Sequence, residues 1–302
     1  MEGKIDLIKG VKAEAAEAGK IDEHIKTAEG QFVSEALNDD EKINSLMTNS
    51  KPEVTILVGF ECFGKTSFAA SCYQILLQSG SIDGYVFYDS ETLTGFERRL
   101  FLRRLCEGTE DCAPETRRTI RGEPYLLTMH LEHPEKGEKL VILSDHSGED
   151  YGEYADKKRS IDGDVLIMHA DRIIFFLDAS KISSTDYLAV KNRYVQLLTN
   201  MKESSVFERK ELKIDMLFTK LDLVEKAPET YTQRKTEIEA RFRSIIGREI
   251  SKIFEIQANK ANDNKPLMDL FVDIVENTVS STPVDAGDSG LDWVKEMIKM
   301  NN

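Results

Sequence analysis

The sequence predicts an α/β fold of three layers, a mainly parallel sheet with helices on both faces. Three observations predict it. Short apolar runs alternate with helical stretches over most of the chain, the pattern of repeated strand–helix–strand units. A glycine-rich turn, GFECFGKTSF at 59–68, joins the first apolar run to the first helix. Two apolar runs flank a Pro/Lys/Gly turn at 134–137, which adds one antiparallel edge hairpin to the sheet.

Residues 1–50 read as a polar helical N-terminal arm. Ile21, Ile25, Ala28 and Phe32 recur at helical spacing and form one apolar stripe. Such a stripe either packs on the main domain or docks a partner. LNDDEK and NSKPE then read as turn and linker. EVTILVG at 53–59 is a strand, and a helix runs from 65 to about 78, ending near Gly80. GYVFYDS is a further short strand, and LTGFERRLFLRRLC is helical. YLLTMHLEHPEKGEKLVILSD forms the hairpin. RIIFFLDAS is a strand whose Asp178 caps the next helix, which runs to about Met201. KIDMLFTKLD is a strand, a charged helix covers 228–246, KIFEIQAN is the last strand and PLMDLFVDIVENTV the last long helix. The main domain spans 51–280 with an insertion at 81–115. Residues 281–302 form a flexible tail and a short amphipathic helix, LDWVKEMIKM.

Composition bounds the partners. The 302 residues are 40% hydrophobic and 31% charged, enough apolar material for a real core. A formal net charge of −14 argues against nucleic acid, because binding phosphates over a wide surface needs clustered Lys and Arg. RRLFLRR at 98–104 and TRRTIR at 116–121 are local exceptions. The FLRRL helix reads as a packed surface helix rather than a site for an acidic partner. Cys62, Cys72, Cys106 and Cys112 show no zinc-type pairing, which suggests a reducing cytoplasm. No apolar run is long enough to span a membrane. His130 and His133, three apart on a strand, point to opposite faces and are poor metal ligands.

The turn at 59–68 fits G-x-x-x-x-G-K-[ST], a loop whose backbone N–H groups cradle phosphates at a helix N-terminus. Gly59, Glu61, Cys62, Phe63, Gly64 and Ser67 belong to the cradle. Lys65 reaches the β- and γ-phosphates, and the Thr66 hydroxyl binds Mg2+. A second motif is ILSDHSGED at 142–150: an acid ending an apolar strand places Asp145 near the metal and the Gly148 amide near the γ-phosphate. A third is LFTKLD, with Thr219, Lys220 and Asp222. The Asp222 carboxylate can accept both guanine N1–H and N2–H2, a pair adenine does not offer, while the Lys220 stem covers the base. In EIQANK, Ala258 and Asn259 follow the last strand, where a backbone N–H can meet guanine O6.

In this order the four signals resemble the P-loop NTPase fold in its GTPase superclass, of the small-GTPase-like kind, over about 53–279. The resemblance implies GTP/GDP and Mg2+ as ligands. It also implies a switch threonine before the hairpin strand that closes on the metal; RRTIRGEPYLL makes Thr119 the best match, with Thr116 and Thr109 behind it. The insertion at 81–115 departs from small GTPases. GYVFYDSETLTGFERRLF, followed by RRT and SDHSGED, is similar to the bacterial double-GTPase families of conflict and phage-defence systems. That likeness implies a regulatory GTPase working with a protein partner through the arm, the insertion or the switch regions.

Many GTPases orient water with a Gln after the D-x-x-G glycine; this chain has Glu149. Glu61 adds a second carboxylate beside the phosphates. At an effective dielectric of ~20, two unit charges ~6 Å apart repel by ~3 kcal/mol, so slow hydrolysis is expected. Arg117, Arg118 and Arg121 flank Thr119. Arg118 is the candidate for an arginine finger in cis, against the plainer alternative of solvated switch residues. The rival functions are a GTP-loaded scaffold that does not hydrolyse and an ATPase, the latter disfavoured by TKLD.

Overall fold

A computed structural model of the chain describes residues 36–37, 52–106, 126–224, 228–256 and 265–278, without the side chains of 102–106. The elements in chain order are β1 (Glu53–Val58), α1 (Lys65–Ser79), β2 (Val86–Asp89), α2 (Leu93–Cys106), β3 (Leu126–His133) and β4 (Gly137–Ser144). Three helices follow, α3 (Gly148–Asp156), α4 (Lys158–Asp162) and α5 (Val165–His169). Then come β5 (Arg172–Asp178), α6 (Ala179–Ser183), α7 (Tyr187–Glu203), β6 (Lys213–Thr219), α8 (Pro228–Ile246), β7 (Lys252–Glu255) and α9 (Lys265–Asn277).

Among the described residues the strands form one seven-stranded sheet in the order β2-β3-β4-β1-β5-β6-β7. β1 pairs in parallel with β4 on one side and β5 on the other, and β5–β6 and β6–β7 are parallel. Only β3 runs against the rest, paired antiparallel with both β4 and β2. The antiparallel edge therefore carries one strand more than the hairpin, contributed by the insertion. β1 and β5 are buried along their whole length, as strands covered on both faces must be, and this is why their centres, Ile56–Val58 and Ile173–Leu177, read as apolar runs. α1 packs with α2 and α9, and α7 packs with α3, α6 and α8, so the helices form two groups.

Chain order matters for the site. The chain leaves β4 on one flank of β1 and enters β5 on the other. A crevice therefore opens at the C-terminal ends of these strands, where ligands bind in open α/β sheets. The phosphate loop follows β1, Asp145 follows β4, and Thr219 closes β6. Parallel pairing brings all three to one edge.

The opposite edge is closed by a buried charge cluster. Arg172, at the start of β5, is 1% exposed. Its Nε donates to Glu53 of β1 at 3.0 Å, and its Nη1 donates to Asp215 of β6 at 2.6 Å and to Asp273 of α9 at 2.8 Å. Lys213 adds a second cation on Glu53 at 3.1 Å. Three strands and a helix thus share one guanidinium.

The described part of the insertion, 81–106, is built onto this frame. The Glu91 carboxylate takes the Thr128 hydroxyl at 2.6 Å and meets His130 Nε2 at 2.7 Å, both on β3. Burial alone would lower the pKa of His130, but Glu91 outweighs it and raises it. His133 packs instead on Tyr85, so the two histidines have separate neighbours, as their spacing requires. Of the N-terminal arm only Ala36 and Leu37 are described; Leu37 N–H donates to the Leu126 carbonyl at 3.0 Å. The tail at 281–302 lies outside the described residues.

Arg172→Met leaves Asp215, which has no exposure, as a buried carboxylate without its cation. Removing one partner of a buried pair costs about 3–5 kcal/mol. Urea unfolding of the two proteins checks it. An unchanged midpoint would mean that the cluster does not hold the sheet together.

Candidate phosphate- and guanine-binding site

The loop after β1 alternates ordinary and left-handed backbone. Cys62 has φ 62°, and Gly64, the residue before α1, has φ 92°. Such alternation turns successive N–H groups to one side, the concavity that takes an anion. The loop is not small in its side chains. Phe60 and Phe63 are buried against Tyr194 of α7, with ring centroids at 4.8 and 6.2 Å. The Arg193 guanidinium lies 4.9 Å over the Phe60 ring and the Lys181 ammonium 5.1 Å over that of Phe63. Two aromatic anchors therefore fix a loop that glycines would leave free.

Lys65 opens α1 with its ammonium folded back on the loop, donating to the Gly59 carbonyl at 2.6 Å and to that of Phe60 at 3.2 Å. Burial lowers its pKa to about 8, and nearby carboxylates led by Asp145 oppose the shift. The Thr66 hydroxyl donates to Asp145 Oδ1 at 3.1 Å across 79 residues of sequence. Asp145 has no solvent exposure. Its other oxygen, Oδ2, takes Arg99 Nε at 3.3 Å. A hydroxyl beside a carboxylate is a hard oxygen set, and it fits Mg2+, which is held through one or two such groups plus phosphates.

The segment after Asp145 is pinned from both ends. His146 meets the Ser144 hydroxyl at 2.7 Å through Nδ1 and Asp164 at 3.1 Å through Nε2. Burial would lower the His146 pKa, but Asp164 raises it above its ordinary value. Ser147 caps α3 by accepting from Glu149 N–H at 3.2 Å, and Asp150 accepts from Ser147 N–H at 3.2 Å. Gly148 between them is pressed on the phosphate loop. A Cβ there would stand 2.3 Å from the Glu61 nitrogen and 2.6 Å from the Phe60 carbonyl carbon, closer than atoms can approach. Glu61 and Glu149 are both exposed and line the same cleft of about 540 Å3 beside Gly148. Their exposure lets solvent screen the repulsion expected between Glu61 and bound phosphates.

The third motif is tied to the first. The Thr219 hydroxyl donates to the Phe63 carbonyl at 3.0 Å, across 156 residues. Lys220 takes φ 59° and its ammonium reaches Asp178 at 2.6 Å; the same Asp178 caps α6 through Ser180 and Lys181, as the sequence predicts. Asp222 is half-buried in the short turn Leu221–Leu223, beside the end of β7, where Leu221 N–H donates to the Ile256 carbonyl at 3.4 Å. Ala258, Asn259, Thr119, Thr116, Thr109, Arg117, Arg118 and Arg121 lie outside the described residues, as do Cys112 and the Cys106 side chain.

Of the FLRRL stretch, 101–105, only the Phe101 side chain is described, and it is exposed. A functional residue that sequence reasoning missed lies just before it: Arg99 of α2 is 7% exposed and holds Asp145. The signal that could have found it is its spacing: Arg99 shares the face of Phe96 and Leu100, both fully buried. His146, Asp164 and Tyr194 had no sequence signal, because each acts through a contact set by the fold.

The family model described as Double-GTPase 2 matches residues 54–274. No curated protein matches the chain. Among solved structures, the chain is similar to translation elongation factor SelB from Methanococcus maripaludis in complex with the GTP analogue GppNHp, at 14% identity and TM-score 0.40 over 75% of this chain and 34% of that one. The chain thus spans about a third of the elongation factor's length. It is also similar to the signal recognition particle receptor SRb-GTP/SRX complex from Chaetomium thermophilum, at 12% identity and TM-score 0.42 over 74% of this chain and 98% of that one. A third likeness is to the S. cerevisiae Ski7 GTPase-like domain bound to GDP and inorganic phosphate, at 11% identity and TM-score 0.43 over 78% and 52% of the two chains.

Gly148→Ala forces the phosphate loop and the segment after β4 apart. Overpacking of this kind costs about 1–3 kcal/mol, read as a lower urea midpoint of the nucleotide-free protein. Unchanged stability would show that Gly148 is not packed on the loop.

Proposed function

The chain belongs to the Double-GTPase 2 family, and from that premise we propose that it is a guanine-nucleotide switch. It binds GTP with Mg2+, hydrolyses it slowly to GDP and phosphate, and presents its nucleotide state to a protein partner. One observation carries the proposal: motifs 79 and 156 residues away in sequence donate or accept hydrogen bonds within the same phosphate loop and the helix it opens. A loop held only for stability has no need of a buried carboxylate and a lysine at its mouth.

In this proposal the N–H groups of residues 59–67 wrap the phosphates. The Lys65 ammonium leaves the Gly59 and Phe60 carbonyls and turns to the β- and γ-phosphates. Burial lowers its pKa to about 8, and an anionic ligand that favours the charged form offsets that burial on binding. Thr66 and Asp145 hold the divalent cation, which when bound neutralises phosphate charge. The Gly148 N–H serves the γ-phosphate, with Glu149 beside it to accept a hydrogen bond from water. Asp222 takes the guanine edge and the Lys220 stem covers the base.

The slow step rests on the sequence: Glu149 stands where many GTPases carry the Gln that orients water, and a carboxylate there opposes the charge that the reaction concentrates on phosphate oxygens. Glu61 and Glu149 are exposed, so solvent reduces this opposition without reversing its sign. Thr119 and Arg118 keep the switch and finger roles that the family resemblance implies.

The partner reading is supported by the insertion. Val86 and Tyr88 on the edge strand β2 and Phe101 on α2 are large apolar side chains that stand exposed. Edge strands and exposed apolar patches are where partners dock. The bacterial antiphage setting rests on the sequence resemblance alone.

Base identity tests the proposal. Asp222→Asn offers one acceptor and one N–H2 donor, and the donor meets the guanine 2-amino group while suiting the 2-oxygen of xanthine. Mispairing a buried polar group costs about 1–3 kcal/mol, so preference should move from GTP to xanthosine triphosphate by at least about tenfold. Competition titration of both proteins with GTP, xanthosine triphosphate and ATP reads it out. No change of preference in the variant would sink the guanine assignment.

A further inference from the structure

Arg99 stands on the wrong face of its helix for a solvent-seeking residue. Phe96, Arg99 and Leu100 are all buried, at i, i+3 and i+4 on one side of α2. A guanidinium placed there needs partners, because an unpaired buried charge is costly. Its Nη1 donates to the Gly95 carbonyl one turn back at 3.0 Å, and its Nε donates to Asp145 Oδ2 at 3.3 Å.

The helix that carries it is fixed to the helix that carries Thr66. The Tyr73 ring of α1 stacks on Phe96 of α2 with centroids 4.9 Å apart, and the Tyr73 hydroxyl donates to Glu97 at 2.9 Å. α1 therefore reaches Asp145 twice. Directly, its first turn sends Thr66 to Oδ1 at 3.1 Å. Indirectly, its middle holds α2, whose Arg99 returns to Oδ2. A carboxylate gripped at both oxygens has one orientation.

We propose that Arg99 is a positioning residue for the divalent cation: by holding Oδ2 of Asp145 it keeps Oδ1 turned to the Thr66 hydroxyl, so that the two oxygens form the cation site before the cation arrives. This rests on the guanine-nucleotide function proposed above. It gives the insertion at 81–115 a role inside the nucleotide site, not only on the surface. The opposite arrangement, in which the guanidinium competes with the cation for Asp145, has the opposite sign in the test.

The test uses the full chain loaded with a fluorescent GDP, with dissociation followed over a series of Mg2+ concentrations and in EDTA. Loss of an outer partner of a metal ligand typically weakens metal binding about 10- to 100-fold, so Arg99→Met should raise the Mg2+ concentration that gives half-maximal retention about tenfold or more. The rate in EDTA should match wild type, and Arg99→Lys, which keeps the charge without the Nε donor, should fall between. Thermal melting of the nucleotide-free proteins checks folding. If Arg99→Met does not fold, Arg99→Gln, which keeps an N–H donor, should shift the Mg2+ midpoint in the same direction by less. An unchanged or lower midpoint would overturn the proposal, and so would equal acceleration with and without Mg2+, the mark of a merely structural role. A wild type that binds no guanine nucleotide would instead remove the functional reading on which the inference rests.

Discussion

Asp145 is a carboxylate with no access to solvent, and the C-terminal edge of the sheet is arranged around it. A buried charge of this kind survives only if hydrogen-bonded and matched by opposite charge. Two helices meet that demand from different sides, α1 with Thr66 and α2 with Arg99. Lys65, one residue before Thr66, is close enough for the same carboxylate to raise its pKa against the effect of burial. Phosphate loop, strand end and insertion are thereby locked into one local structure. A site for a highly charged ligand is paid for by such constraint in advance, since groups already fixed lose little entropy on binding.

The sheet makes this possible by placing its two charged clusters at opposite ends. Arg172 ties β1, β5, β6 and α9 at the N-terminal ends of the strands. Between these ends β1 and β5 are fully buried and, Thr55 apart, apolar, so neither end can relax by sliding along them. The C-terminal ends are then free to carry loops of unusual backbone. Cys62 and Lys220 both sit at positive φ, a conformation costly for residues with side chains, and each is held by neighbours. Around Cys62 the holding is aromatic, through Phe60, Phe63 and Tyr194. At Lys220 it is ionic, through Asp178.

Much of this was legible in the sequence because it is local. The strand before Gly59, the helix after Gly64 and the cap at Asp178 follow from apolar runs, turn residues and capping chemistry within a few positions of each other. The alternation of runs gave the parallel sheet, and the sheet then brought Asp145 and Thr219 to the phosphate loop, as their positions after strands required. What stayed hidden depends on contacts across the fold. Arg99 looks like one of several arginines in a basic helix until α2 docks on α1. His146 looks like a filler between Asp145 and Gly148 until Asp164, 18 residues on, closes on it. The pairing of β2 with β3 was hidden for the same reason, because an edge partner is chosen by the sheet and not by the strand.

The central claim is that the loop at 59–68 binds a guanine nucleoside triphosphate through Lys65. Equilibrium titration of the wild type and Lys65→Ala with a fluorescent GTP analogue, with GTP, GDP and ATP as competitors, measures this most directly. The account predicts that GTP and GDP displace the analogue from the wild type and ATP does not. It also predicts that folded Lys65→Ala loses binding. Equal displacement by ATP, or unchanged affinity in the folded variant, would contradict it.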